Sequence, residues 1–73
     1  MQYIETQIFE TCLELKKIRQ DNNLSLEDVQ GLSDIPLANL SRYERGAKVP
    51  KVTTLVRWAN VLGHKITLLL DKA

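Results

Sequence analysis

SLEDVQGLSDIPLANLSRYERG, residues 25–46, reads as two short helices joined by a tight turn. Ser25 stands just ahead of Leu26 and Asp28 follows three positions on. This is a variant of the capping box, in which the Ser hydroxyl accepts from a free N–H of the first turn and an acid faces the helix dipole. A helix therefore starts at Leu26. Val29 and Leu32 share one face, and Gly31 and Ser33 weaken the helix just ahead of Asp34. Asp34 is among the few non-glycine residues that reach a left-handed turn conformation at modest cost, and Ile35 tucks the turn inward. Pro36 has a preset φ suited to the first helical position, so a second helix spans 36–45 and Gly46 ends it. Within it Leu40 and Tyr43 face the core, leaving Leu37, Ala38, Asn39, Ser41, Arg42 and Arg45 for the outer face or its margins.

Two short helices at this spacing, the second with small and basic residues on its solvent face, have the geometry that lets one helix enter a DNA major groove. Residues 15–62 resemble the Cro/phage-repressor (XRE-type) helix-turn-helix domains, through Leu15, Ile18 and Arg19, then Leu24-Ser25, Ile35, Leu40-Ser41-Arg42, Glu44-Arg45-Gly46, Pro50, Leu55, Ala59 and Leu62-Gly63. From Ser25 to Gly46 the spacing matches without a gap. The resemblance implies an Arg19–Glu44 clamp between the first helix and the end of the recognition helix, with a phosphate contact by Arg19 compatible with it. Three positions depart from the pattern. Gln30 stands where the family has Ala at a close helix crossing, so its amide must angle outward or widen the crossing. Asp34 replaces the usual turn Gly. Pro36, Leu37 and Ala38 replace polar residues at the opening of the recognition helix, which leaves apolar contact with thymine methyls and points to an A/T-leaning site, with Arg42 the better candidate for a guanine.

Upstream, residues 6–22 form a long helix with Ile8, Cys12, Leu15 and Ile18 at helical spacing, Phe9 and Leu13 widening the stripe, and Asn22-Asn23 as the stop. Downstream, Ala47 to Pro50 is a loop and 52–62 the fourth helix, with Val52, Leu55, Ala59 and Leu62 on one stripe and Gly63 as its terminator. Trp58 lies beside that stripe as a core or dimer contact. In 64–71, Ile66, Leu68 and Leu70 alternate with Thr67, Leu69 and Asp71 as in a strand. A lone strand lacks hydrogen-bond partners, so the simplest arrangement pairs it with the same strand of a second subunit across a two-fold axis. Gly63 argues against the alternative, a fourth helix extended through 65–70. A short domain of this type with a terminal strand also resembles antitoxins of the HipB kind.

At 73 residues the chain is one domain, 1–73, marginal as a monomer because so short a chain buries only about 60% of its unfolded surface. Its net charge is +1, a weak signal for DNA, but residues 42–65 hold six bases (Arg42, Arg45, Lys48, Lys51, Arg57 and Lys65) against Glu44 alone. The single cysteine, Cys12, cannot form an internal disulfide and reads as a core residue of a reducing compartment. No Cys/His cluster has metal-ligand spacing, no nucleophile-base set or phosphate loop implies an enzyme, and no segment has the length of a membrane span. His64, the only histidine, suits a helix C-terminus and nothing more.

The sequence thus predicts an all-α, four- to five-helix, lambda-repressor-like domain with a C-terminal strand pairing across a homodimer. It would be a cytoplasmic DNA-binding regulator, without cofactor or metal, on a pseudo-palindromic operator. Leu37, Ala38, Asn39 and Arg42 would meet bases; Ser25, Ser41, Arg45, Lys48 and Lys51 would hold phosphates; Trp58, Ile66, Leu68 and Leu70 would serve dimerisation. A cognate toxin is a further candidate partner. The competing expectation is a protein-binding module that keeps the fold and meets its partner through Leu37 and Ala38.

Overall fold

The computed structural model describes residues 2–66, with side chains from Thr6 onward. Four helices follow one another: α1 (Gln2–Asp21), α2 (Leu26–Ser33), α3 (Leu37–Glu44) and α4 (Val52–Val61). Among the described residues there is no strand. Of the expected 64–71 strand, residues 64–66 have no regular structure, and Thr67 to Asp71, with Leu68 and Leu70, lie outside the described residues.

The long first helix begins at Gln2 rather than residue 6, since no breaker stands among 2–5. It stops where expected: Asn23 turns left-handed at φ 57°, the Leu24 N–H donates to the Arg19 carbonyl at 3.0 Å, and Asn22 Nδ2 donates to the Ile18 carbonyl at 2.7 Å. Ile8, Cys12 and Leu15 are buried, whereas Phe9 and Leu13 are each 44% exposed and do not widen the stripe. The reason is angular. They sit roughly 100° or more round the helix from Ile8, and α1 packs chiefly against α3 and α4.

The capping box forms in full: Ser25 Oγ accepts from the Asp28 N–H at 3.0 Å and Asp28 Oδ2 accepts from the Ser25 N–H at 2.8 Å. The inner face of α2 differs from expectation. Leu32 is 59% exposed and Ser33 is buried in its stead. The helix ends at Ser33, whose hydroxyl donates to the Val29 carbonyl at 2.6 Å and accepts from the Ile35 N–H at 3.1 Å, satisfying two backbone groups at the turn. Asp34 then takes the left-handed conformation (φ 61°, ψ 17°), with its N–H on the Gln30 carbonyl at 2.8 Å. Gln30 is exposed, its amide angled outward.

Pro36 has ψ 137°, so it caps α3 instead of opening it, and its carbonyl accepts from Asn39 and Leu40. At the far end the Ala47 N–H bonds the Arg42 carbonyl at 2.9 Å around Gly46, which sits at φ 72°. The Phe9 ring covers Gly46 so closely that a Cβ there would collide with it. The core gathers Val29, Ile35, Leu40, Tyr43, Leu55, Trp58 and Ala59 against the α1 stripe, with Ile18, Leu24 and Ile66 packed at its margin. Trp58 is fully buried within the protomer, 6.0 Å centroid to centroid from Tyr43, so it serves the core and presents nothing for a dimer contact. Its indole N–H has no hydrogen-bond partner among the described residues.

Candidate nucleic-acid interface

Two turns of α3 divide cleanly. Leu40, Tyr43 and Glu44 point into the protein, Ala38 and Arg42 point out, Leu37, Asn39 and Ser41 are half-buried at the margins, and Arg45, just past the helix, continues the outer side. No acid stands in the first turn and no side chain caps the N-terminus. Arg45 is drawn back along the helix, its Nε donating to the Ser41 carbonyl at 3.3 Å. Lys48 and Lys51 follow in the exposed loop, and the Lys48 ammonium lies 3.5 Å from Asn39 Oδ1.

One ion pair sets the pitch of this face against the body. Arg19 Nε and Nη2 fork onto Glu44 Oε2 and Oε1 at 2.7 and 2.9 Å, while Nη1 donates to the Leu24 carbonyl at 2.8 Å. The side chains are only 13% and 5% exposed. The hydrogen bond to Glu44 holds the Arg19 guanidinium's pKa above its ordinary value against the opposing effect of burial. Three of five guanidinium donors are thus committed inward, which makes Arg19 a clamp between α1 and the end of α3. The pair also uses up the one acid of residues 42–65, so what that segment presents to solvent is basic.

The other side of the turn has the opposite sign. Glu27, Gln30, Gly31, Asp34 and Pro36 line an open concavity between α2 and the start of α3, with two carboxylates and no base, which disfavours a phosphate there. Burial, reinforced by the nearby Glu44 charge, pushes the Cys12 thiol up to about 11, which leaves it a thiol and a core residue. Among the described residues no cluster of His, Cys, Asp or Glu could hold a metal ion, and no helix is long and apolar enough to cross a membrane.

Of the expected base-facing residues, Ala38 and Arg42 stand exposed on the outer side of α3 and Leu37 and Asn39 half-buried at its margins; Ser41 is also half-buried, and Arg45, Lys48 and Lys51 are exposed beyond the helix. Ser25 lies at the start of α2, and Ile66 turns inward on the core. Sequence reasoning missed Ser33 and the Lys48–Asn39 contact. The first could have been found from a hydroxyl one residue ahead of a left-handed position; the second carries no local signal.

A family model described as helix-turn-helix matches residues 15–69. The chain belongs to the helix-turn-helix family, of the Cro/phage-repressor type. An HTH-type transcriptional regulator, DdrOP3 of Deinococcus deserti, is 35% identical over 60 residues, which cover 82% of this chain and 46% of that protein. The chain therefore spans about half the length of the curated relative it matches. No solved structure matches it. In this helix-turn-helix domain α2 and α3 are the paired helices, Ser33 and Asp34 form the turn, and the Arg19–Glu44 fork fixes α3 to α1.

Proposed function

We propose that the chain is a dimeric, sequence-specific DNA-binding repressor whose α3 enters the major groove of a pseudo-palindromic operator. The outward strip of α3 carries this reading: Ala38 and Arg42 exposed opposite Leu40, Tyr43 and Glu44, with Arg45, Lys48 and Lys51 directly beyond. Leu37 and Ala38 contact thymine methyls, and Arg42 forks onto a guanine. Ser41, Arg45, Lys48 and Lys51, with the amides opening α3, track the phosphates. Ser25 joins them from α2, exposed at the start of that helix. Glu27 and Asp34 keep the backbone off the opposite edge.

Two copies, joined by antiparallel pairing of 64–71 through Leu68 and Leu70, would set their α3 helices about 34 Å apart, one helical turn of DNA. A narrower form of the reading makes the protein the antitoxin of a toxin-antitoxin operon, with the toxin as a second partner. No catalytic step is required, and the cytoplasm is the compartment that fits.

The test is a fluorescence titration of mixed duplex DNA at two salt concentrations, with the solution mass measured alongside. Steep loss of affinity with salt, about 0.9 in log–log slope per phosphate neutralised, and a dimer mass are expected. A monomer that ignores DNA at low salt overturns the proposal. Exposed Leu32, close by the half-buried Leu37 in sequence, favours the second reading, a protein-binding module. Arg42→Ala with Arg45→Ala separates the two: DNA affinity falls with the fold intact in the first, whereas affinity for a partner protein barely moves in the second.

A further inference from the structure

We infer that Lys48 is a specificity-determining residue, because it sets which way the Asn39 amide faces and hence which base edge Asn39 can read. The inference rests on the placement of α3 in the major groove proposed above. Asn39 sits on the margin of the α3 outer strip, and Lys48 reaches it from nine residues on, ammonium to Oδ1 at 3.5 Å. An ammonium has three donors and no acceptor, so the amide atom that faces it has to be the oxygen. The Nδ2 hydrogens are then turned away from the loop, and Asn39 meets a base as a donor.

An asparagine free to rotate grips adenine with both atoms, accepting from N6 and donating to N7. With its oxygen turned to Lys48 and one of its two lone pairs taken, the amide is no longer free to swing both atoms onto adenine, and its Nδ2 donors find better partners in guanine, with acceptors at both N7 and O6, or in thymine O4. Lys48 thereby shifts one operator position away from adenine without touching a base. Among the residues expected to meet bases only Asn39 offers an acceptor: Arg42 carries only donors, and Leu37 and Ala38 carry neither donor nor acceptor.

The experiment selects from a randomised duplex pool with the full chain and with Lys48→Met, Asn39→Ala and Lys51→Met, then titrates duplexes that differ at the position Asn39→Ala renders indifferent. Lys48 is exposed, so its replacement leaves the core alone. The wild type should prefer guanine or thymine there over adenine by about tenfold. Lys48→Met and Lys51→Met should each weaken all duplexes, but only Lys48→Met should also move that one position toward adenine, with the preferences at the other positions as they were. If Lys48→Met also weakens all duplexes alike with the position unchanged, Lys48 is a phosphate contact only and the inference falls, though the groove reading stands. If the wild type binds with a salt slope but enriches no sequence, and Arg42→Ala changes no preference, base reading by α3 falls and the inference with it.

Discussion

Arg19 illustrates how much one side chain can hold. Replacing it with methionine keeps the stem but leaves the Glu44 carboxylate, 5% exposed, without its fork. Breaking one half of a buried pair costs about 3 kcal/mol, chiefly because the other charge stays buried alone. Urea unfolding should therefore find Arg19→Met severely weakened, and Arg19→Met with Glu44→Leu should recover much of the loss. A single-variant loss below about 1 kcal/mol would mean that the pair behaves as a surface contact. Trp58 makes the converse case. Its rings fill the centre of the core while its N–H bonds nothing among the described residues. Trp58→Ala should cost about 3–5 kcal/mol. Trp58→Phe sheds the unpaired donor along with some volume, and should cost far less in the same titration.

At the scale of elements, α2 is two turns long and depends on its ends. Removing the cap with Ser25→Ala should cost about 1 kcal/mol near neutral pH, read as a lower urea midpoint. Asp28 adds a pH signature. Bonds from the Ser25 backbone and hydroxyl hold its carboxylate below the ordinary value of 3.8. Stability from a depressed carboxylate is fully present above that ordinary value and is lost as pH falls through the lower, folded one. The gap between wild type and Asp28→Asn should thus close on acidification below about pH 4; a gap independent of pH would assign the effect to something other than charge. At the end of α3, Gly46→Ala meets both a left-handed φ and the Phe9 ring, so it should cost more than the roughly 1 kcal/mol of a C-terminal glycine alone. These ends were legible because capping chemistry is local: Ser25-x-x-Asp28, Asn22-Asn23, Asp34, Gly46 and Gly63 stand in the sequence where the helices stop. Facing was less legible. Periodicity marks which residues share a side, but Leu13 and Leu32 stay exposed and Phe9 covers only Gly46, and that depends on where other elements pack. The Arg19–Glu44 pair spans 25 positions and could be anticipated only from the family resemblance, while Lys48 with Asn39 could be anticipated from neither.

For the molecule as a whole, size and charge pull in one direction. A chain of 73 residues has little stability to spare, and residues 42–65 concentrate positive charge beside α3 while Glu27, Asp28 and Asp34 gather on and after α2. The chain is thereby polarised, and in the proposed dimer a second copy would add both burial and a second basic surface. If 64–71 joins two copies, folding and association are one equilibrium, and the melting temperature must rise with protein concentration. Truncation should probe this after Ile66 rather than after Gly63, because Ile66 packs on the core and its loss would weaken the monomer by itself. The shortened chain should melt at one temperature whatever its concentration. Where the full chain gains 1 kcal/mol from a partner, its midpoint should lie about 4–8 °C higher. A full chain whose melting is equally indifferent to concentration would refute tail pairing. Each copy would then bind its half-site independently, so that affinity for a half-site equals affinity per site on the palindrome.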